Sequence, residues 1–118
     1  MRELDAKFKT DLLPGTLDLL LLKTLSLEPM HGYGIAQRLR QLSQDVLQVE
    51  EGSLYPALNR LWAKGWVKKE WKQTTNNRRA CYYRLTALGR KQLKLESGSF
   101  DRLTEAIVRV MAAVRENA

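Results

Sequence analysis

The chain has 118 residues, enough for one compact core and short for two. Its 44% hydrophobic and 28% charged content excludes a disordered chain, and a formal net charge of +7 points to a polyanionic partner, nucleic acid first and an anionic membrane surface second. A single cysteine, Cys81, excludes an internal disulfide, and with one histidine, His31, it leaves almost no material for a nitrogen and sulfur metal site, so no cofactor is expected. No apolar run reaches membrane-spanning length and MRELDAKFK is too charged for a signal peptide, so the expected location is cytoplasmic with no membrane partner.

In chain order, residues 1–13 place Leu4, Phe8 and Leu12 four apart, which suits an amphipathic arm too short to be stable unless docked. Pro14-Gly15 is read as a break, with Thr16 as N-cap of the helix TLDLLLLKTLSLE and Asp18 near the positive end of its dipole. That helix is apolar almost all round and should be central. Pro29 ends it, and residues 30–34 connect to a helix whose apolar stripe is Ile35, Ala36, Leu39 and Leu42. Residues 46–49 are at most a short extended piece.

Leu54, Leu58, Leu61 and Trp62 then fall at the spacing of a helix face turned to a core. With Ser53 as N-cap, Pro56 lies in the first turn, where its missing N–H costs little. Gly65 ends this helix at a C-terminal cap. WVKKEWK and ACYYRLT, joined by the polar QTTNNRR, read as a two-stranded hairpin with a basic tip. Thr86 caps a last helix carrying Leu93, Phe100, Leu103, Ile107, Val110 and Val114; from Phe100 the steps alternate three and four, a heptad seam that needs another helix. The weak helix formers Ser97-Gly98-Ser99 are expected to kink or weaken it.

The resulting fold class is mainly α with a small β-hairpin: an arm over 1–13, a winged helix-turn-helix over 14–86 and a dimerisation helix over 87–118. Projected around its axis, the helix after Glu51 puts Ser53, Pro56, Asn59, Arg60 and Ala63 opposite its leucines, with Tyr55 at the flank. Asn pairs with adenine and Arg with guanine through two hydrogen bonds, while Ser, Tyr and free amides suit phosphate. Such a face is also an ordinary solvated surface. The tip Asn76, Asn77, Arg78, Arg79, with no acidic residue, tips the balance to double-stranded DNA, and Lys64, Lys68, Lys69 and Lys72 extend the positive surface. His31 reads as a helix-junction residue bonded to backbone, Cys81 as a buried inert thiol, and Trp62, Trp66 and Trp71 as core. Glu50-Glu51 suits a helix start. No nucleophile and base stand at plausible spacing, so the chain is not expected to be an enzyme.

HGYGIAQRL, GSLYPALNRL and YYRLTALGR, in this order and spacing, make the chain from Leu12 to about Leu93 resemble the PadR family of bacterial transcriptional regulators. The single C-terminal helix is similar to the smaller subgroup. The resemblance implies a homodimeric winged-helix repressor of a pseudo-palindromic operator, released by a small molecule or other signal. Its recognition positions fall on Ser53, Leu54, Tyr55, Pro56, Asn59 and Arg60, and its wing on Asn76 to Arg79. Where the family often has a tryptophan mid-way along the last helix, this chain has only Phe100. The dimer also follows from the seam itself, which with Leu4, Phe8, Leu12 and Leu93 would bury against a two-fold partner and set half-sites roughly 34–36 Å apart. The alternative function is a winged-helix module whose basic face binds an acidic protein.

Overall fold

A helix that is apolar on every side is stable only where other elements cover it. The computed structural model, which describes residues 14–115, surrounds α1 (Pro14–Leu27) on several sides. Leu21 and Leu22 are fully buried and Leu25 nearly so. Thr24, buried beside them, donates its hydroxyl to the Leu20 carbonyl at 2.7 Å, so no polar group is stranded. Pro14 and Gly15 belong to this helix, so the expected break is not there and Thr16 lies inside the first turns rather than capping them. Proline's fixed φ is compatible with such a position. Leu4, Phe8 and Leu12 lie outside the described residues.

The chain next forms β1 (Met30–His31) and α2 (Gly32–Leu42). His31 caps α2, its Nδ1 accepting from the Gly34 amide at 3.0 Å, which is the helix-junction role expected of it. Gln44 and Asp45 take positive φ at the turn that follows, and the chain runs without helix to Glu50.

In α3 (Glu51–Ala63), Leu54, Ala57, Leu58 and Leu61 enter the core. The N-cap is Glu50 and not Ser53, with the amides of Ser53 and Leu54 both turned to the Glu50 carbonyl at 2.9 Å. Pro56 is therefore one turn deeper than expected. The carbonyl it cannot serve belongs to exposed Gly52, so the lost bond is not a buried one. Trp62 was expected in the core and is 51% exposed, at the edge of the apolar stripe and not within it. Gly65, at φ +78, closes α3: the Trp66 amide reaches the Leu61 carbonyl at 2.9 Å and the Gly65 amide that of Trp62 at 3.0 Å.

The hairpin is β2 (Val67–Gln73) and β3 (Arg79–Leu85), paired antiparallel from Val67 with Leu85 to Gln73 with Arg79. It carries a third strand that the sequence pattern did not announce: β1 pairs with β3 through Met30 with Tyr83 and His31 with Tyr82, so the order is β1-β3-β2. This short ladder ties the start of α2 to the base of the hairpin.

The last element, α4 (Ala87–Met111), is capped by Thr86, whose Oγ1 accepts from the Gly89 amide at 2.9 Å and donates to the Gly65 carbonyl at 2.7 Å. Gly89 is buried against the Trp66 carbonyl, and a side chain there would also meet Leu85 Cδ1 at 2.8 Å. Only glycine lets α4 lie this close. The helix passes through Ser97-Gly98-Ser99 unbroken, against expectation, because one glycine costs about 1 kcal/mol and 25 residues of backbone bonding outweigh it. Leu93 packs, half-buried, on the core of its own chain, whereas Val114 lies past the helix end.

Candidate nucleic-acid interface

Side chains alternate across a strand, so the register of β2 and β3 divides the hairpin into two faces. The outer face carries Glu70 between Arg84 at 3.3 Å and Lys72 at 3.8 Å, so one carboxylate offsets part of the positive charge there. On the inner face Lys69 pairs with Tyr83, Trp71 with Cys81 and Gln73 with Arg79. Near its base this face is core, with Val67, Tyr83 and Leu85 buried. Toward the tip it turns to the start of α2 and α3 across a groove of about 780 Å³. Lys69, Arg78 and Arg79 line that groove with Tyr33, Tyr55, Trp71 and Tyr83, and none of the lining residues is acidic. Cations interleaved with aromatic faces and free of carboxylates are suited to a phosphate backbone.

Packing positions the aromatic members. Tyr55 projects from α3 over Gly32, where an added side chain would meet the Tyr55 ring at 2.7 Å, so Gly32 admits the tyrosine and brings the two helix starts together. Trp71, expected in the core, is 62% exposed and instead underlies Arg79, whose guanidinium carbon is 5.1 Å from the ring centroid. Trp66 is half-buried against the core, and the ammonium of Lys64 rests on its ring at 4.7 Å. Cys81 is half-buried and free, and it lines the groove instead of sitting deep in a core. Burial, followed by the neighbouring Cys81 thiol and Tyr55, pushes Tyr83 up to about 12.

The DNA-contact candidates divide. Asn76, Arg78 and Arg79 line the groove with Tyr55. Asn77 stands at φ 63 and accepts from Gln73 Nε2 at 2.8 Å, while its amide bonds the Thr74 carbonyl at 2.9 Å, so it builds the turn. Ser53 is half-buried in the opening turn of α3. Asn59 is exposed and accepts from Lys69 Nζ at 3.3 Å. Arg60 turns toward the body of the domain, its Nη2 2.9 Å from Oδ1 of Asp18. Asp18 is therefore no exposed partner of a helix dipole: it is buried, and Arg60 neutralises it. Helical projection gave the direction of Arg60 and not its partner, which lies 42 residues away in the chain. Trp71 and Tyr33 are groove residues that the sequence reading did not place there; strand alternation between Val67 and Gln73 was the available signal for Trp71.

The model of the transcriptional regulator PadR-like family matches residues 21–95 of this chain, from the middle of α1 to the first third of α4. The chain belongs to the PadR-like family. A transcriptional regulator from Clostridium thermocellum superposes with a TM-score of 0.76 at 27% identity, covering 88% of this chain and 100% of that one. A PadR-like transcription factor from Bacteroides fragilis gives 0.68 at 31% identity over 82% and 91% of the two chains. A PadR family transcription regulator from Clostridium difficile gives 0.71 at 26% over 81% and 98%. PadR-like membership makes the fold a winged helix with a long C-terminal helix, and the chain a DNA-binding regulator and not an enzyme. No described helix is long and apolar enough to cross a membrane.

Two outcomes follow from the PadR-like groove. Arg60→Ala leaves the Asp18 carboxylate buried and unpaired, and should lower stability by about 2 kcal/mol in urea unfolding; an unchanged midpoint would return Arg60 to the solvated face. Tyr83 holds its proton to about 12 in the folded chain against 10.0 when free. Its contribution is thus intact below pH 10 and lost as pH rises through that window. Unfolding midpoints at pH 8 to 11 should show the stability of the wild type relative to Tyr83→Phe constant at first and falling above about pH 10.

Proposed function

We propose that the chain is a homodimeric repressor that binds a pseudo-palindromic operator and is released by a small molecule or other signal. In this reading α3 enters the major groove and the hairpin tip lies on the adjoining backbone. The observation that carries DNA contact is the acid-free groove between wing and helix starts, with Arg78 and Arg79 on one wall. Dimerisation rests on α4: from Ser99 onward every described residue is exposed, although Phe100, Leu103, Ile107 and Val110 keep a seam. Apolar surface of that extent and spacing fits a helix from a second copy. Arm, winged domain and C-terminal helix then serve docking, reading and pairing in turn.

A fluorescence-anisotropy titration with the DNA upstream of the chain's own gene tests the contact. Arg78→Glu with Arg79→Glu should weaken binding to all sequences and flatten the log–log salt dependence by roughly 0.9 for each phosphate no longer neutralised. A complex that is neither salt-sensitive nor sequence-preferring would favour the acidic protein partner instead. Light scattering after gel filtration should give a dimer for the wild type and a monomer for Leu103→Glu with Ile107→Glu. A folded wild-type monomer at micromolar concentration would remove the dimer from the proposal.

A further inference from the structure

Among the described residues, Lys69 is the one member of the hairpin whose side chain is bonded to the polar side of α3. Its ammonium sits 4.2 Å above the centroid of the Trp62 ring and 3.3 Å from Asn59 Oδ1. Trp62 and Asn59 are three apart on one helix face, so a single cation spans both. This gives the exposed tryptophan a purpose: its π-face holds the ammonium in place. Glu70, next in sequence, is on the other face of the hairpin with Arg84 and does not compete.

An ammonium only donates, so the Asn59 atom facing it must be the carbonyl oxygen and the Nδ2 group must point away. That choice has a chemical consequence. A free asparagine reads adenine in the major groove with both ends of its amide, Oδ1 accepting from N6 and Nδ2 donating to N7. With a cation already on Oδ1, the adenine amino group would approach an oxygen with one of its two lone pairs taken and a positive charge beside it. Guanine presents O6 and N7, both acceptors, and accepts from Nδ2 without using Oδ1.

We infer that Lys69 is a specificity-determining residue that acts through Asn59: seated on Trp62, it orients the amide so that this position of α3 prefers guanine to adenine. The inference rests on α3 reading the major groove. Selection from random DNA with the purified protein and three variants tests it. Asn59→Ala should level the preference at one base pair of each half-site. Lys69→Met, which keeps the aliphatic stem and removes the donor, should move that same pair from guanine toward adenine by roughly five-fold or more, leaving the other positions unchanged. Lys69→Arg keeps a donor and a cation that stacks on Trp62, and should retain guanine. Thermal unfolding by circular dichroism should be alike for all four proteins, since the bridge is at the surface.

If Lys69→Met weakens every sequence equally and only flattens the salt dependence, Lys69 is a phosphate contact and the inference is overturned. If Asn59→Ala alters no single base pair while the protein still binds DNA selectively, Asn59 is not a reader, and the inference falls while the DNA-binding reading stands. A protein that selects no DNA at all overturns both.

Discussion

The burial of α1 is the constraint on which the rest of the structure depends. A helix with Leu17, Leu19, Leu21, Leu22 and Leu25 buried gives little of its surface to water, and α2, α3, β3 and α4 all pack against it. Its one buried carboxylate, Asp18, is the exception that adds direction. Leucines can slide over leucines at small cost, but a buried charge at 2.9 Å from a guanidinium fixes the rotation of α3 about its own axis. Arg60 stays exposed while its guanidinium reaches in to Asp18, which holds that side of α3 at the surface. A side chain expected to contact DNA instead ties α3 to α1.

Much of this was visible in the residues. Apolar spacing located α1 to α3, Gly65 and Thr86 marked the termini they were expected to mark, and the aromatic stretches on either side of QTTNNRR became the hairpin strands. These signals are local: a cap, a period of 3.6 or a turn is complete within a few residues. Some local expectations failed at helix ends, where α1 begins at Pro14 and Glu50 caps α3 in place of Ser53, and the other failures were relations between distant parts. The third strand is two residues long and exists only because β3 is beside it. The pairing of Arg60 with Asp18 and of Lys69 with Asn59 depends on how elements cross, which no period reports.

The tryptophans make the same point about energetics. An aromatic residue in a small domain is first assigned to the core because it can bury so much surface. Here Trp62 and Trp71 are mostly outside, each beneath a cation from the hairpin. Their rings stiffen Lys69 and Arg79, long side chains that would otherwise lose about 2 kcal/mol of rotamer entropy on being ordered by a ligand. Part of the ordering is complete before any partner arrives. The half-buried Cys81 and the high proton affinity of Tyr83 belong to the same inner face, where the core ends and the groove begins.

The meeting of Gly89 with the Trp66 carbonyl has a mechanical meaning. Thr86 and Gly89 clamp the first turn of α4 to the peptide that links α3 to β2, so helix and hairpin share one rigid root. The whole of α4 is 25 residues, about 37 Å, and nearly all of it lies beyond that root. A tilt of about 5° at that root carries the far end through about 3 Å, close to the rise of one base pair. Because α4 and the hairpin leave the same clamp, the missing Cβ of one glycine sets how near helix and wing can lie at their common root.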